Sequence, residues 1–158
     1  LRVGYLVANW NILSRILPYK TDAGSGSLEQ MALAEFCKNE FNDHVTKLRV
    51  ELKKKSDVIC NALDKYFGST ANYQKPDGGI FIWVDMPENV DTSKLYDVAI
   101  KQGVAINPGH EWSVNRSGKH KMRLCYGNPT IQEIDQGVKL LAEICQKEFG
   151  VPKQIANQ

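Results

Sequence analysis

From Asp43 to Gly150 the apolar residues switch repeatedly between helical and strand-like spacing, and that alternation limits what the chain can fold into. Val45, Leu48, Leu52, Ile59, Leu63 and Phe67 fall on one helical face, which predicts a long helix capped by Asn42 or Asp43 and stopped at Gly68. Pro76-Asp77-Gly78-Gly79 is a turn, and Ile80–Met86 is a strand apolar enough to suggest cover on both faces. Asp91-Thr92 caps a helix carrying Leu95, Val98 and Ala99, which Gly103 ends, and Val104–Ile106 reads as a short strand running into Asn107-Pro108-Gly109. Lys121–Tyr126 is a further strand between turn-prone segments. Thr130 and Glu133 then form a capping box for a last helix striped by Ile134, Val138, Leu141, Cys145 and Phe149. Helix, strand, helix, strand, strand, helix is the order of a two-layer α/β sandwich, a small sheet packed on helices.

The first 42 residues read differently. Leu1–Ala8 has the pattern of a strand with no initiator Met and no turn before it, as expected of a fragment that begins inside a larger sheet. Trp10–Tyr19, with Ile12, Leu13, Ile16 and Leu17, is a short amphipathic helix stopped near Pro18. After a polar loop over residues 21–26, Ser27 and Gln30 have capping-box spacing, and Leu28, Met31, Ala32, Phe36 and Cys37 line one helical face. The expected division is 1–42 as the remnant of a larger domain, 43–150 as a complete small domain, and 151–158 as a tail, with the hinge within Asn39–Asp43.

Composition removes several function classes. Hydrophobic residues at 42% are enough for a core, and a net charge of +2 argues for neither nucleic acid nor a membrane surface. The lysine run Lys53–Lys55 reads as the solvated face of a helix, and the longest apolar runs fall well short of a membrane span. Cys37, Cys60, Cys125 and Cys145 form no CxxC pair and read as small buried hydrophobes of a reducing compartment. His44, His110 and His120 have no metal-ligand spacing, so no metal is expected.

Within the Lys121–Tyr126 strand, alternation places Met122, Leu124 and Tyr126 on one face and Lys121, Arg123 and Cys125 on the other. Arg123 has two readings at this point. It is a solvated arginine on the wet face of an edge strand, or its planar fork of donors grips a carboxylate or phosphate.

Four landmarks in order then carry a family resemblance. Leu1-Arg2-Val3-Gly4-Tyr5 resembles the end of the signature S-x-S-K-x-x-x-P-G-x-R-x-G-Y, and Pro76-x-Gly78-Gly79-x-Phe81-x-Trp83 resembles the strand P-x-G-G-x-F-x-W. Gly103-Val104 with Pro108-Gly109 resembles the G-V…P-G turn, and Met122–Tyr126 the closing R-L-x-F/Y strand. Together they resemble the C-terminal portion of a fold-type-I pyridoxal-phosphate-dependent aminotransferase of the aspartate aminotransferase superfamily, in the branch acting on 2-aminoadipate, kynurenine or several amino acids.

The resemblance implies a fold, the last strand and helices of a large cofactor-binding domain followed by the small domain. It assigns Arg123 to the substrate α-carboxylate, Arg2 to the cofactor phosphate, and Gly79 and Phe81 to the neighbourhood of the substrate; whether Asn107, just before the Pro-Gly turn, faces the site is left open by the sequence. It implies pyridoxal 5'-phosphate as cofactor, an amino acid and a 2-oxo acid as substrates, a homodimeric cytoplasmic parent enzyme, and neither nucleic acid nor membrane as partner. This chain departs from the signature in one respect. The Schiff-base lysine belongs upstream of Leu1 and no lysine here has its context, so no catalytic residue is assigned and the chain is expected to be inactive alone. The rival expectations are the effector-sensing domain of a transcription regulator, or a stand-alone α/β small-molecule binding domain.

Overall fold

The computed structural model describes residues 2–152; Leu1 and most of the expected tail lie outside that range. The described residues fall into two units, one ending at Lys47 and the other beginning at Leu48.

The first unit holds helix α1 (Trp10–Ile16), a 3₁₀ turn (Leu17–Tyr19), helix α2 (Ser27–Asn39) and the start of helix α3 (Phe41–Tyr66). Asn9 caps α1 by accepting a hydrogen bond from the Asn11 amide at 2.9 Å. The expected opening strand is not formed by residues 2–9. A strand must pair its N–H and C=O groups with a neighbour, and no other extended segment of this unit offers one. Nor is the Ser27/Gln30 capping box formed. Gly26 takes the cap position, Ser27 is already helical, and Gln30 Nε2 donates instead to the Ser25 carbonyl at 2.7 Å. No residue from 2 to 47 is buried.

In the second unit α3 continues to Tyr66 and buries Ser56, Ile59, Cys60, Ala62 and Leu63. Four strands follow among helices: β1 (Asn72–Tyr73), β2 (Phe81–Asp85), α4 (Thr92–Ala99), β3 (Asn107–Pro108), β4 (Lys121–Cys125) and α5 (Ile131–Phe149). The sheet is antiparallel throughout, in the order β1-β2-β4-β3, with Ile82 opposite Leu124 and Val84 opposite Met122. Those four side chains are buried with Leu63 and Phe67 of the α3 end, Leu95 of α4, and Val138, Leu141 and Cys145 of α5. This is the two-layer α/β arrangement the alternation predicts, with the helices gathered on one face of the sheet.

The other face is open, which corrects the expectation for β2. Ile82 and Val84 are buried, but Phe81 is 39% and Trp83 38% exposed, because the helices cover a single side. Val104–Ile106 is not a strand: Val104 N–H donates back to the Ala99 carbonyl in the helix exit at Gly103 (φ 88°), so pairing begins only at Asn107. Cys60 and Cys145 are buried, the Cys145 thiol being pushed up to about 12 by burial, whereas Cys37 and Cys125 are exposed. Lys53 and Lys54 are solvated as expected, paired with Asp57 and Glu51, while Lys55 donates to the Gly127 carbonyl at 2.9 Å.

Among the described residues no helix is long and apolar enough to cross a membrane, and no cluster of His, Cys, Asp and Glu is suited to a metal ion.

Candidate functional site

The open sheet face carries the chemistry of the second unit. Antiparallel pairing sets Trp83 of β2, Arg123 of β4 and Asn107 of β3 across from one another, one residue from each strand. Directly opposed residues share a face, so register alone brings these three side chains to one row. Arg123 is half-buried there, and its Nη2 donates to Asn107 Oδ1 at 3.3 Å. Its carbon Cζ lies 4.0 Å from the centre of the Phe81 ring and 3.5 Å from that of Trp112. Its Nε is closed off from solvent and has no acceptor. A guanidinium laid against aromatic faces keeps its charge and loses rotamer freedom, leaving the terminal nitrogens as the accessible donors.

Trp112 reaches this position through the turn that follows β3. Pro108 and Gly109 are buried, and residues Gly109–Trp112 form a single 3₁₀ turn over the end of β4. A Cβ at Gly109 would stand 2.6 Å from the Lys121 carbonyl oxygen and 2.8 Å from that of Gly118, so only glycine permits this approach. His110 Nδ1 lies 3.2 Å from Ser93 Oγ at the start of α4, a second tie on the turn.

Gly79 has φ 84°, a backbone that favours glycine, and its carbonyl accepts from the Tyr126 hydroxyl at 2.9 Å. Among the described residues, its two chain neighbours apart, nothing lies within 4 Å of where its Cβ would be, so the turn requires glycine for its dihedral and not for close approach. Phe81, two residues on, is one of the two rings against Arg123. Arg2 belongs to the first unit, where it is exposed with φ 55°.

Strand alternation marks out Arg123, the family motifs add Phe81 and Asn107, and the structure brings the three together. Neither signal marks out Trp112, which sits eleven residues from Arg123 with no periodicity to give its direction. Its only sequence signal is an aromatic side chain close behind a Pro-Gly turn.

The electrostatics of the face favour a single negative group. Lys121 is already paired with Asp85 at 2.8 Å, and His120 Nε2 lies 3.1 Å from the other oxygen of the same carboxylate. Arg123 is the cation of this row with no carboxylate bound to it among the described residues. These residues fit a carboxylate. They do not by themselves fit a covalently held aldehyde cofactor, since the lysine on this face is tied up in an ion pair. Tyr126 and Ser56 line a separate cleft of about 830 Å³ beside the Pro76–Gly79 turn, with Arg49 at its edge.

Comparison with known proteins bears on the family and the fold. The family model "Aminotransferase class I and II" matches residues 1–141. An uncharacterized aminotransferase of Saccharolobus solfataricus is 31% identical over 152 residues, covering 94% of this chain and 38% of that protein. An uncharacterized HTH-type transcriptional regulator of Bacillus subtilis is 30% identical over 150 residues, covering 93% of this chain and 31% of the regulator. The crystal structure of LysN, an alpha-aminoadipate aminotransferase from Thermus thermophilus complexed with N-(5'-phosphopyridoxyl)-L-leucine, superposes with a TM-score of 0.78 at 26% identity. It covers 89% of this chain and 37% of that one. The chain thus spans only 31% to 38% of the length of these relatives. With four motifs in order, a small antiparallel sheet on helices and a matching family model, this chain belongs to the class I and II aminotransferases of the fold-type-I pyridoxal-phosphate superfamily.

Proposed function

We propose that this chain supplies the substrate-carboxylate grip of an aminotransferase that moves an amino group between an amino acid and a 2-oxo acid. The observation that carries the reading is Arg123, held against Phe81 and Trp112 with Asn107 on one terminal nitrogen. A fork fixed in this way meets a planar carboxylate with two parallel hydrogen bonds and sets the orientation of the α-carbon. Phe81, which packs against the fork, and Gly79 are proposed to lie near the substrate, and Arg2 is proposed to meet the phosphate of the cofactor. Pyridoxal phosphate, when bound, supplies the electron sink for the reaction, and the lysine that holds it is assigned to sequence outside this chain. On this reading the chain is inactive alone, and the parent protein is a cytoplasmic homodimer of amino-acid metabolism.

The test is kinetic, in the parent enzyme. Arg123→Ala should cost about 3–5 kcal/mol in kcat/KM for an amino acid, because a partly desolvated carboxylate loses its bidentate partner. Arg123→Lys should recover only part of that. An amine substrate without the α-carboxylate should be indifferent to both changes; equal losses for the two substrates would show that Arg123 is structural.

A second reading has one observation in its favour, the 30% identity to a transcriptional regulator over 93% of this chain. There the same grip would hold the carboxylate of an amino-acid effector. A parent protein that binds DNA in response to an amino acid, without transaminating it, would establish this reading over the first.

A further inference from the structure

Arg123 lies against a residue that the family motifs do not single out. Trp112 is 52% exposed, yet its ring centre is nearer the guanidinium carbon than that of Phe81, 3.5 Å against 4.0 Å. A large exposed indole does not stabilise a fold by being there; burial would favour turning it inward. What holds it over the arginine is the turn, packed so tightly on β4 that Gly109 admits no side chain. The cost of this arrangement is also visible. Arg123 Nε is shut away from water without an acceptor, which is unfavourable for a donor on a charged group. A structure that needed Arg123 only as a solvated surface residue would leave that nitrogen in water.

We propose that Trp112 is a positioning residue: its indole, set by the Gly109 turn, holds the Arg123 guanidinium so that the terminal nitrogens alone are presented to a carboxylate. The proposal rests on the reading that Arg123 grips the substrate carboxylate, and it adds the means by which the fork is held. With Nε closed, rotation about the side-chain torsions is the main freedom left to the arginine. Asn107 limits it through one terminal nitrogen, and the two rings limit it by packing against the guanidinium carbon. Without Trp112 the arginine keeps its charge but samples several rotamers, and the ordering cost falls on the binding step.

The experiment uses the whole chain, isotopically labelled, and follows the Arg123 Nε–H and Cδ proton signals by NMR while L-leucine or its decarboxylated analogue isoamylamine is added. In the wild type the aromatic rings should displace the Arg123 signals from their random-coil positions. Trp112→Ala should bring them back toward those positions and raise the Kd for L-leucine about fivefold to tenfold, the scale of a partly desolvated cation–π contact. Trp112→Phe should retain most of both effects, and isoamylamine should respond equally in all three proteins. Because Trp112 is exposed, its truncation should leave the amide spectrum of the core unchanged, and Trp112→Phe supplies the comparison if it does not. The proposal is overturned if Trp112→Ala leaves the L-leucine Kd unchanged while Arg123→Ala abolishes binding. If Arg123→Ala itself binds L-leucine as well as the wild type, the carboxylate reading is refuted and the positioning role goes with it.

Discussion

Arg123 shows what a residue contributes to a site and withholds from a fold. Its guanidinium gains two ring contacts and one hydrogen bond from Asn107, but it keeps a buried Nε without an acceptor. Truncation loses the first set and relieves the second, and the two offset. Arg123→Ala should therefore change the stability of this chain by less than about 1 kcal/mol, as changes outside a core usually do. Urea denaturation followed by circular dichroism checks this; a loss of several kcal/mol would make Arg123 a structural residue. Its face was legible from the sequence, because a period of two in Lys121–Tyr126 decides which side chains reach the core. The ring on top of it was not, because Trp112 comes from a turn whose direction is set by the packing of Gly109 on β4. Cys125 marks the same limit. Read as buried on composition, it lies on the open face beside Arg123, where alternation alone had put it.

The elements differ in how well the sequence announces them, and the two capping boxes show why. Thr130 and Glu133 form theirs in full, with Thr130 Oγ1 accepting from the Glu133 amide at 3.2 Å and the Glu133 carboxylate from the Thr130 amide at 2.7 Å. Ser27 and Gln30 have the same spacing and form none. Helix α5 buries Ile134, Val138, Leu141 and Cys145, so packing fixes its register and its first turn, whereas α2 buries nothing. Thr130→Ala should cost about 1 kcal/mol of stability, measured by thermal denaturation. The Glu133 carboxyl is held below its ordinary value of 4.5, first by the Thr130 amide. A lowered folded-state pKa stabilises the fold above the unfolded value, and that contribution is lost as pH falls through the folded one. The gap between wild type and Glu133→Gln should accordingly narrow below about pH 4. A gap unchanged from pH 7 to pH 3 would refute the role of the charge. The turn after β3 obeys a harder constraint. Gly109→Ala places a Cβ 2.6 Å from a backbone oxygen, so the turn or the strand must move. It should lose about 1–3 kcal/mol of stability and disturb the Trp112 fluorescence, while an alanine at Gly137, where the space is open, should do neither.

At the scale of the whole molecule, burial divides the chain more sharply than secondary structure does. Helices run on both sides of Lys47, yet among the described residues every buried side chain lies at Ser56 or beyond. Residues 2–47 instead expose Tyr5, Leu6, Val7, Trp10, Leu28 and Met31, apolar side chains in numbers that a solvated surface seldom carries. The period of these residues was readable in the sequence; what they pack against was not, since periodicity gives a face but never its partner. Local opening costs least where few apolar contacts must break, so a protease should reach the first unit long before the second. The polar loop at residues 21–26, exposed throughout and bounded by α2, offers an accessible irregular segment. Limited digestion should cut there first and leave a resistant product containing β1 to α5, identified by intact-mass spectrometry. The same exposed residues should drive association: sedimentation of the uncut chain should depend on concentration, and sedimentation of the resistant product should do so far less. Digestion that starts within α5 or the sheet, or an uncut chain that stays monomeric at high concentration, would mean that the first unit buries these side chains in solution after all.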